Sequence, residues 1–307
     1  MNGMAAHAYR LDERQRSDGV VARGEVADIH RRLVDGHPIT VLAVGASVAV
    51  QAGCIDQPGA ECMKYSGHEY VDLGWGRGGR HEGFLVQWFN WMNRTWPHPG
   101  HRLINKAGNG VALQTILPCL FGALPARIDL VVLEVGSLAK WLTPSSIELA
   151  VRKFRGLPHA PAVLFVTVPL WYAPGVIASQ DSATRSACQA RYSQNDFRMS
   201  GGNWGAQLSG SEAGPRQHTY WSRTEQEVDL VCAHYGQASI SVYRALAPAV
   251  RAHRRGFSLA DVARDCVHPM HGRYGSEYVA DLMIAWLSSA AVQGAPTTTR
   301  HSTESPS

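Results

Sequence analysis

Residues 39–47 read ITVLAVGAS, a run of apolar and β-branched side chains that begins at Ile39 and stops at Gly45, Ala46 and Ser47. A continuous apolar run of this kind, without alternation, is the pattern of a strand buried on both faces of a parallel sheet. Gly45 permits a tight turn with close backbone approach. Ser47 then stands at the carboxyl end of the strand, the edge at which open α/β sheets bind ligands. Taken alone, Ser47 reads first as a helix N-cap. A distant segment changes that reading. Asp265 and His268, in the run Asp265-Cys266-Val267-His268-Pro269, join Ser47 to supply a nucleophile, a base and an orienting carboxylate, the three side chains of a hydrolytic triad.

Outward from this strand the chain alternates. Residues 1–24 are charged and aperiodic and read as a poorly ordered arm. Glu25 to Leu33 is a short helix that leads into the strand. His81 to Arg94 carries Phe84, Leu85, Trp88, Phe89, Trp91 and Met92 at helical spacing, a broad apolar face whose plain reading is core packing. Arg102 to Asn105 is a short strand, followed by a helix over Val111 to Gly122. Asp129 to Val135 and Ala162 to Val168 are buried strands, with a helix from Ser145 to Arg155 between them and Ser145 or Ser146 as its cap. After a long segment, residues 172–222, come a helix over Glu225 to Tyr235, a strand over Ser239 to Val242, a helix from Tyr243 to about His253, and a last helix over Ser276 to Ser288 capped by Ser276. Strands alternating with helices predict a parallel sheet covered on both faces. Residues 172–222 are rich in Gly, Ser, Gln and Arg with isolated aromatics, and are either a lid or binding insert or partly disordered. Residues 295–307 read as a disordered tail.

The 307 residues are 45% hydrophobic, enough for the core of one large α/β domain, here residues 25–294. The formal charge of +4 balances 29 basic against 25 acidic residues, and the basic ones are scattered, so nucleic-acid binding is not indicated. No run of about 18 apolar residues predicts a membrane-spanning helix. The first residues lack the apolar segment of a secretory signal, and the compartment stays open. The six cysteines, Cys54, Cys62, Cys119, Cys188, Cys232 and Cys266, form no Cys-x-x-Cys pair, so neither a zinc site nor another metal or cofactor is expected. Cys54 and Cys62 flank a Gly/Pro loop and either bridge in an oxidising compartment or remain free thiols. Cys266 is read as a packing residue.

Serine is a poor nucleophile without a base in hydrogen-bond reach and a group that holds the base in the correct tautomer. His268 suits the base, because an ordinary imidazole titrates near neutral pH. Asp265 suits the orienting carboxylate, and Pro269 keeps His268 out of helical geometry. Three other signals carry less. Ser137-Leu138-Ala139-Lys140 matches a Ser-x-x-Lys pattern without its companion motifs. His268 and His271 lack a third metal ligand. Ser47 is followed by Val48 and Ala49, so no Gly-x-Ser-x-Gly elbow exists.

The order of these residues resembles the SGNH, or GDSL-type, hydrolase superfamily over roughly Ile39 to Leu287. Its first block corresponds to Val44-Gly45-Ala46-Ser47, with Ala46 where the family usually has Asp. Its second resembles Asn105-Lys106-Ala107-Gly108, and its last Asp265-Cys266-Val267-His268-Pro269. The run from the aromatic helix through Trp96-Pro97-His98-Pro99 to DLVVLE resembles a eukaryotic, algal-type branch. The resemblance implies a three-layer α/β/α sandwich with a parallel sheet of about five strands, a flavodoxin-like arrangement. It implies an ester hydrolase with Ser47, Asp265 and His268 as the catalytic triad and the Ser47 and Gly108 amides in the oxyanion hole. Its substrate class is a small-molecule or glycan ester, with carbohydrate O-acetyl groups as the family-level expectation. The third block departs from the family. Its asparagine, an oxyanion donor, falls on Leu138, or on Ser137 if the register slips by one. Asn109 or Ser137 is then the candidate replacement donor. A non-catalytic binding protein of the same fold, and an acyltransferase using the same serine, are the alternatives.

Overall fold

The computed structural model describes residues 8–50, 69–71, 83–108, 113–120, 124–136, 142–169, 171, 180–183, 186, 220–263, 266–269 and 274–293. Seven strands form one sheet: β1 (Val20–Arg23), β2 (Thr40–Val44), β3 (Glu69–Val71), β4 (Arg102–Asn105), β5 (Leu130–Glu134), β6 (Ala162–Thr167) and β7 (Ala238–Ser241), in the order β1-β7-β6-β5-β2-β4-β3. The five in the middle are parallel, as expected. The two at the edges, β1 and β3, pair antiparallel. The described helices are α1 (Glu13–Gly19), α2 (Val26–Val34), α3 (Phe84–Thr95), α4 (Leu113–Leu120), α5 (Pro144–Arg155), α6 (Tyr220–Tyr235), α7 (Val242–Arg251), α8 (Leu259–Val262) and α9 (Tyr274–Gln293).

The strands alternate their side chains between two cores, which is why they are apolar throughout. Val41, Ala43, Leu130, Val132, Leu164, Val166 and Ile240 face one layer, with Leu33 of α2, Trp88 of α3, Leu246 of α7 and Trp286 of α9. Leu42, Val44, Val131, Leu133, Val163 and Phe165 face the other, with Leu117 of α4, Val151 and Phe154 of α5 and Val228 of α6. The result is the expected three-layer α/β/α sandwich.

The arm expected over residues 1–24 is corrected where it is described. Asp12 caps α1 through a box with Gln15, whose amide lies 2.8 Å from the Asp12 carboxylate, and β1 pairs with β7. The buried Asp281 carboxylate of α9 accepts the Leu11 amide at 3.0 Å. Leu11 and Gly19 are buried; a Cβ at Gly19 would stand 2.6 Å from Leu282. Short capped elements anchored by tertiary contacts leave little periodicity to read. Two caps also differ. Thr143, not Ser145 or Ser146, caps α5, in a box with Ser146. Ser276 lies inside α9, which begins two residues earlier at Tyr274. The helix read from Glu225 extends back to Tyr220. Most of the 172–222 insert and the whole 295–307 tail lie outside the described residues, as do Cys54, Cys62 and Cys188.

At the amino end of the sheet, buried His101 ties β2 to the chain before β4. Its Nδ1 accepts the Ile39 amide at 3.0 Å, which leaves Nε2–H to donate to the Trp96 carbonyl at 2.8 Å. Burial is the largest influence on the ring and holds it below the ordinary value of 6.5. In acid the unfolded imidazole therefore takes up a proton that the folded ring resists, so stability is lost as pH falls below about 6.5. The melting temperature is expected to fall between pH 7 and pH 5, and to fall less in His101→Gln. Equal slopes in the two proteins, by calorimetry at matched ionic strength, count against this role.

Candidate active site

β2 lies between β4 and β5, and the chain leaves it toward one neighbour and then returns to the other. That reversal makes the carboxyl end of β2 the switch point of the sheet. Beyond Val44 the backbone turns at Gly45. The Val50 amide donates to the Ala46 carbonyl at 3.0 Å, a single helical turn with Ser47 near its start. Ser47 sits half-exposed at the sheet edge.

Both neighbouring strands grip this turn. From β4, fully buried Asn105 donates its side-chain amide to the Ala49 carbonyl at 2.7 Å and accepts the Ala107 amide at 2.9 Å. From β5, Glu134 is 3% exposed and accepts the Ala46 amide at 3.2 Å and the Gly136 amide at 3.0 Å. At Gly45 the ends of β2 and β5 are in close contact. A Cβ there would stand 2.8 Å from the Glu134 Cβ and carbonyl oxygen and 2.9 Å from the Ala49 Cβ. Gly136 is more confined still: a Cβ there would stand 2.0 Å from the Val168 carbonyl oxygen.

Opposite Ser47 is the segment between α8 and α9. Ala263 and Pro269 form a short antiparallel bridge, and the Cys266 carbonyl accepts the Trp171 amide at 2.8 Å. Cys266 adopts a left-handed φ of 67° and is one half of a disulfide, so its expected packing role is corrected to a covalent one. This segment presents His268, half-buried, with Nε2 2.8 Å from the Ser47 hydroxyl oxygen. With its proton on Nδ1, the ring accepts the serine O–H, the geometry of a general base on its nucleophile.

Ser47 and His268 are therefore brought together from 221 positions apart in the chain. Asp265, Asn109, Ser137 and Leu138 lie outside the described residues. Gly108 lies three residues past β4. Its amide donates to the Gly45 carbonyl at 3.0 Å, just as Lys106 donates to Ala43 at 2.8 Å. The β2–β4 pairing thus runs on past the strands. Glu134 and Asn105 were given no role by sequence reasoning. An apolar strand that ends on a carboxylate was the available signal, since a buried charge needs donors.

Among the described residues no cluster of three metal-ligating side chains occurs, and no helix is long and apolar enough to cross a membrane. Cys232 is the free cysteine among them. It is buried, and burial, then the charge of Asp229, pushes its thiol up to about 12, so it is no nucleophile.

No family model matches the sequence, and no curated protein matches it. Solved structures do. A two-domain esterase active on acetylated mannans matches with a TM-score of 0.57 and 16% identity, over 95% of this chain and 60% of its own. Its fold is that of the SGNH-type hydrolases. The same esterase co-crystallised with mannopentaose gives 0.57 and 15%, over 92% of this chain and 58% of its own. An acetylxylan esterase from Geobacillus stearothermophilus gives 0.49 and 13%, over 81% and 94%. The chain thus spans about three-fifths of the mannan esterase's length.

The crowding at Gly45 has a measurable consequence. Gly45→Ala forces Glu134 and Ala49 apart, and overpacking of this kind costs about 1–3 kcal/mol. The denaturation midpoint should fall accordingly. An unchanged midpoint, with the fold intact, means that the turn yields freely.

Proposed function

We propose that this chain is a serine ester hydrolase that acts through an acyl-enzyme, with O-acylated carbohydrate as its substrate class. The observation that carries the reading is the 2.8 Å contact of His268 Nε2 with the Ser47 hydroxyl oxygen at the sheet's switch point. The Ser47 oxygen attacks the ester carbonyl carbon while His268 takes the serine proton. His268 then gives that proton to the leaving alcohol, and an acyl-serine remains. Water, deprotonated by His268, attacks the acyl group, and the proton returns to Ser47 as the acid leaves. Asp265 orients His268 and stabilises the imidazolium. The Ser47 amide, at the start of its helical turn, receives the developing oxyanion. The carbohydrate class rests on fold likeness to an esterase whose stated targets are acetylated mannans. Residues 172–222, with their aromatics and amides, are proposed to border the mouth of the cleft.

A second reading is a binding protein that has kept the fold and lost turnover. The commitment of the Gly108 amide to Gly45 favours it, as does Leu138 where an asparagine donor is usual. An oxyanion hole short of donors activates the serine without stabilising the transition state.

A fluorophosphonate label and p-nitrophenyl acetate separate the two. The hydrolase reading expects labelling of Ser47 and ester turnover above background. Ser47→Ala and His268→Ala each lower kcat by at least about 10³-fold, and Asp265→Asn by about 10⁴-fold through the wrong tautomer. Turnover that survives Ser47→Ala places the chemistry elsewhere. Labelling without turnover on any acetylated sugar favours the binding protein.

Leu138→Asn tests the shortage of donors. It should raise kcat by about 10-fold or more, because one aimed donor is worth roughly 10²–10³ in rate at a native site. Ser137→Ala and Asn109→Ala identify any substitute donor by lowering kcat while Ser47 still labels. If all three are silent in folded protein, the oxyanion hole is already complete.

A further inference from the structure

We infer that Glu134 is a positioning residue that sets the geometry of the Ser47 turn from the neighbouring strand; this rests on the hydrolase reading above. The carboxylate straddles two chain reversals. One oxygen accepts the amide of Ala46, the residue before the nucleophile, and the other accepts the amide of Gly136, in the turn that ends β5. A carboxylate is the one side chain of this size with two acceptor oxygens and no donor. Glutamine offers one acceptor and sets an NH₂ group against the second amide.

The placement makes the contact directional. Leu133 and Val44 are the last partners in the β2–β5 register, so Glu134 lies one residue past it while still paired with Val166 of β6. Its backbone and Cβ press on Gly45 from one side, and its carboxylate reaches over the turn to Ala46. Asn105 holds the far end of the same turn at Ala49. The Ser47 hydroxyl and amide lie between these two holds. Two bonds to one buried carboxylate hold such a geometry stiffly. A displacement of about 1 Å from the reacting position costs up to about 10²-fold in rate.

The test is Glu134→Gln in the full chain, with Glu134→Ala beside it. Fluorophosphonate titration gives the fraction of competent sites, so that partly unfolded protein is not counted. Glu134→Gln should lower kcat per labelled site by about 10–100-fold with KM within about twofold, while Ala46 and Gly136 lose slow amide exchange. A purely structural residue predicts instead a lower melting temperature with kcat per labelled site unchanged, and that outcome overturns the inference. If neither variant folds, exchange in the wild type decides: slow exchange at both Ala46 and Gly136 supports the double hold, and fast exchange at either overturns it. A wild type inert to both ester and fluorophosphonate overturns the hydrolase reading, and the same exchange measurement still judges the hold on the turn.

Discussion

The close approach of Gly45 to Glu134 is the contact on which the rest of the site depends. The ends of β2 and β5 meet with no room for a Cβ between them. That closeness lets one carboxylate reach the amides of both turns. It also turns the chain after β2 over the sheet edge, where Ser47 is half-exposed. A larger residue at position 45 would separate two strands whose pairing is the centre of the sheet.

The histidine reaches the serine by a different kind of constraint. No strand holds His268. Its segment is fixed by the Ala263–Pro269 bridge, by the bond from Trp171 to Cys266 and by the Cys266 disulfide. Helix α9 follows directly and buries Tyr278, Leu282 and Trp286 in the core that also holds Trp88 of α3. A chain closure this long costs conformational entropy, and α9 packing offsets it for the catalytic segment as well as for itself. The aromatic helix α3 thus helps to place His268.

β2, β5 and β6 were legible because burial on both faces demands near-continuous apolar runs. The edge strand β1 was not. Val20-Val21-Ala22-Arg23 is short and half-buried, and only its pairing with β7 makes it a strand. Helix α1 was hidden for a related reason: its one clear signal, the Asp12–Gln15 box, stands among charged residues. In the site, Ser47 and His268 could be named from residue type and order. Glu134 could not be given a role, because its donors come from two turns that the sheet alone makes neighbours.

By itself the sequence determined the layer architecture and the pair of side chains that can act as nucleophile and base. Those follow from local pattern and from the chemistry of each residue type. Tertiary structure decided which backbone amides remain available to that chemistry. The Gly108 N–H looked free on paper and is bound to Gly45; the Ala46 and Gly136 amides look ordinary on paper and share one buried carboxylate. Where a hydrogen bond goes depends on register and close approach between strands far apart in the chain, and neither is written in any single stretch of it.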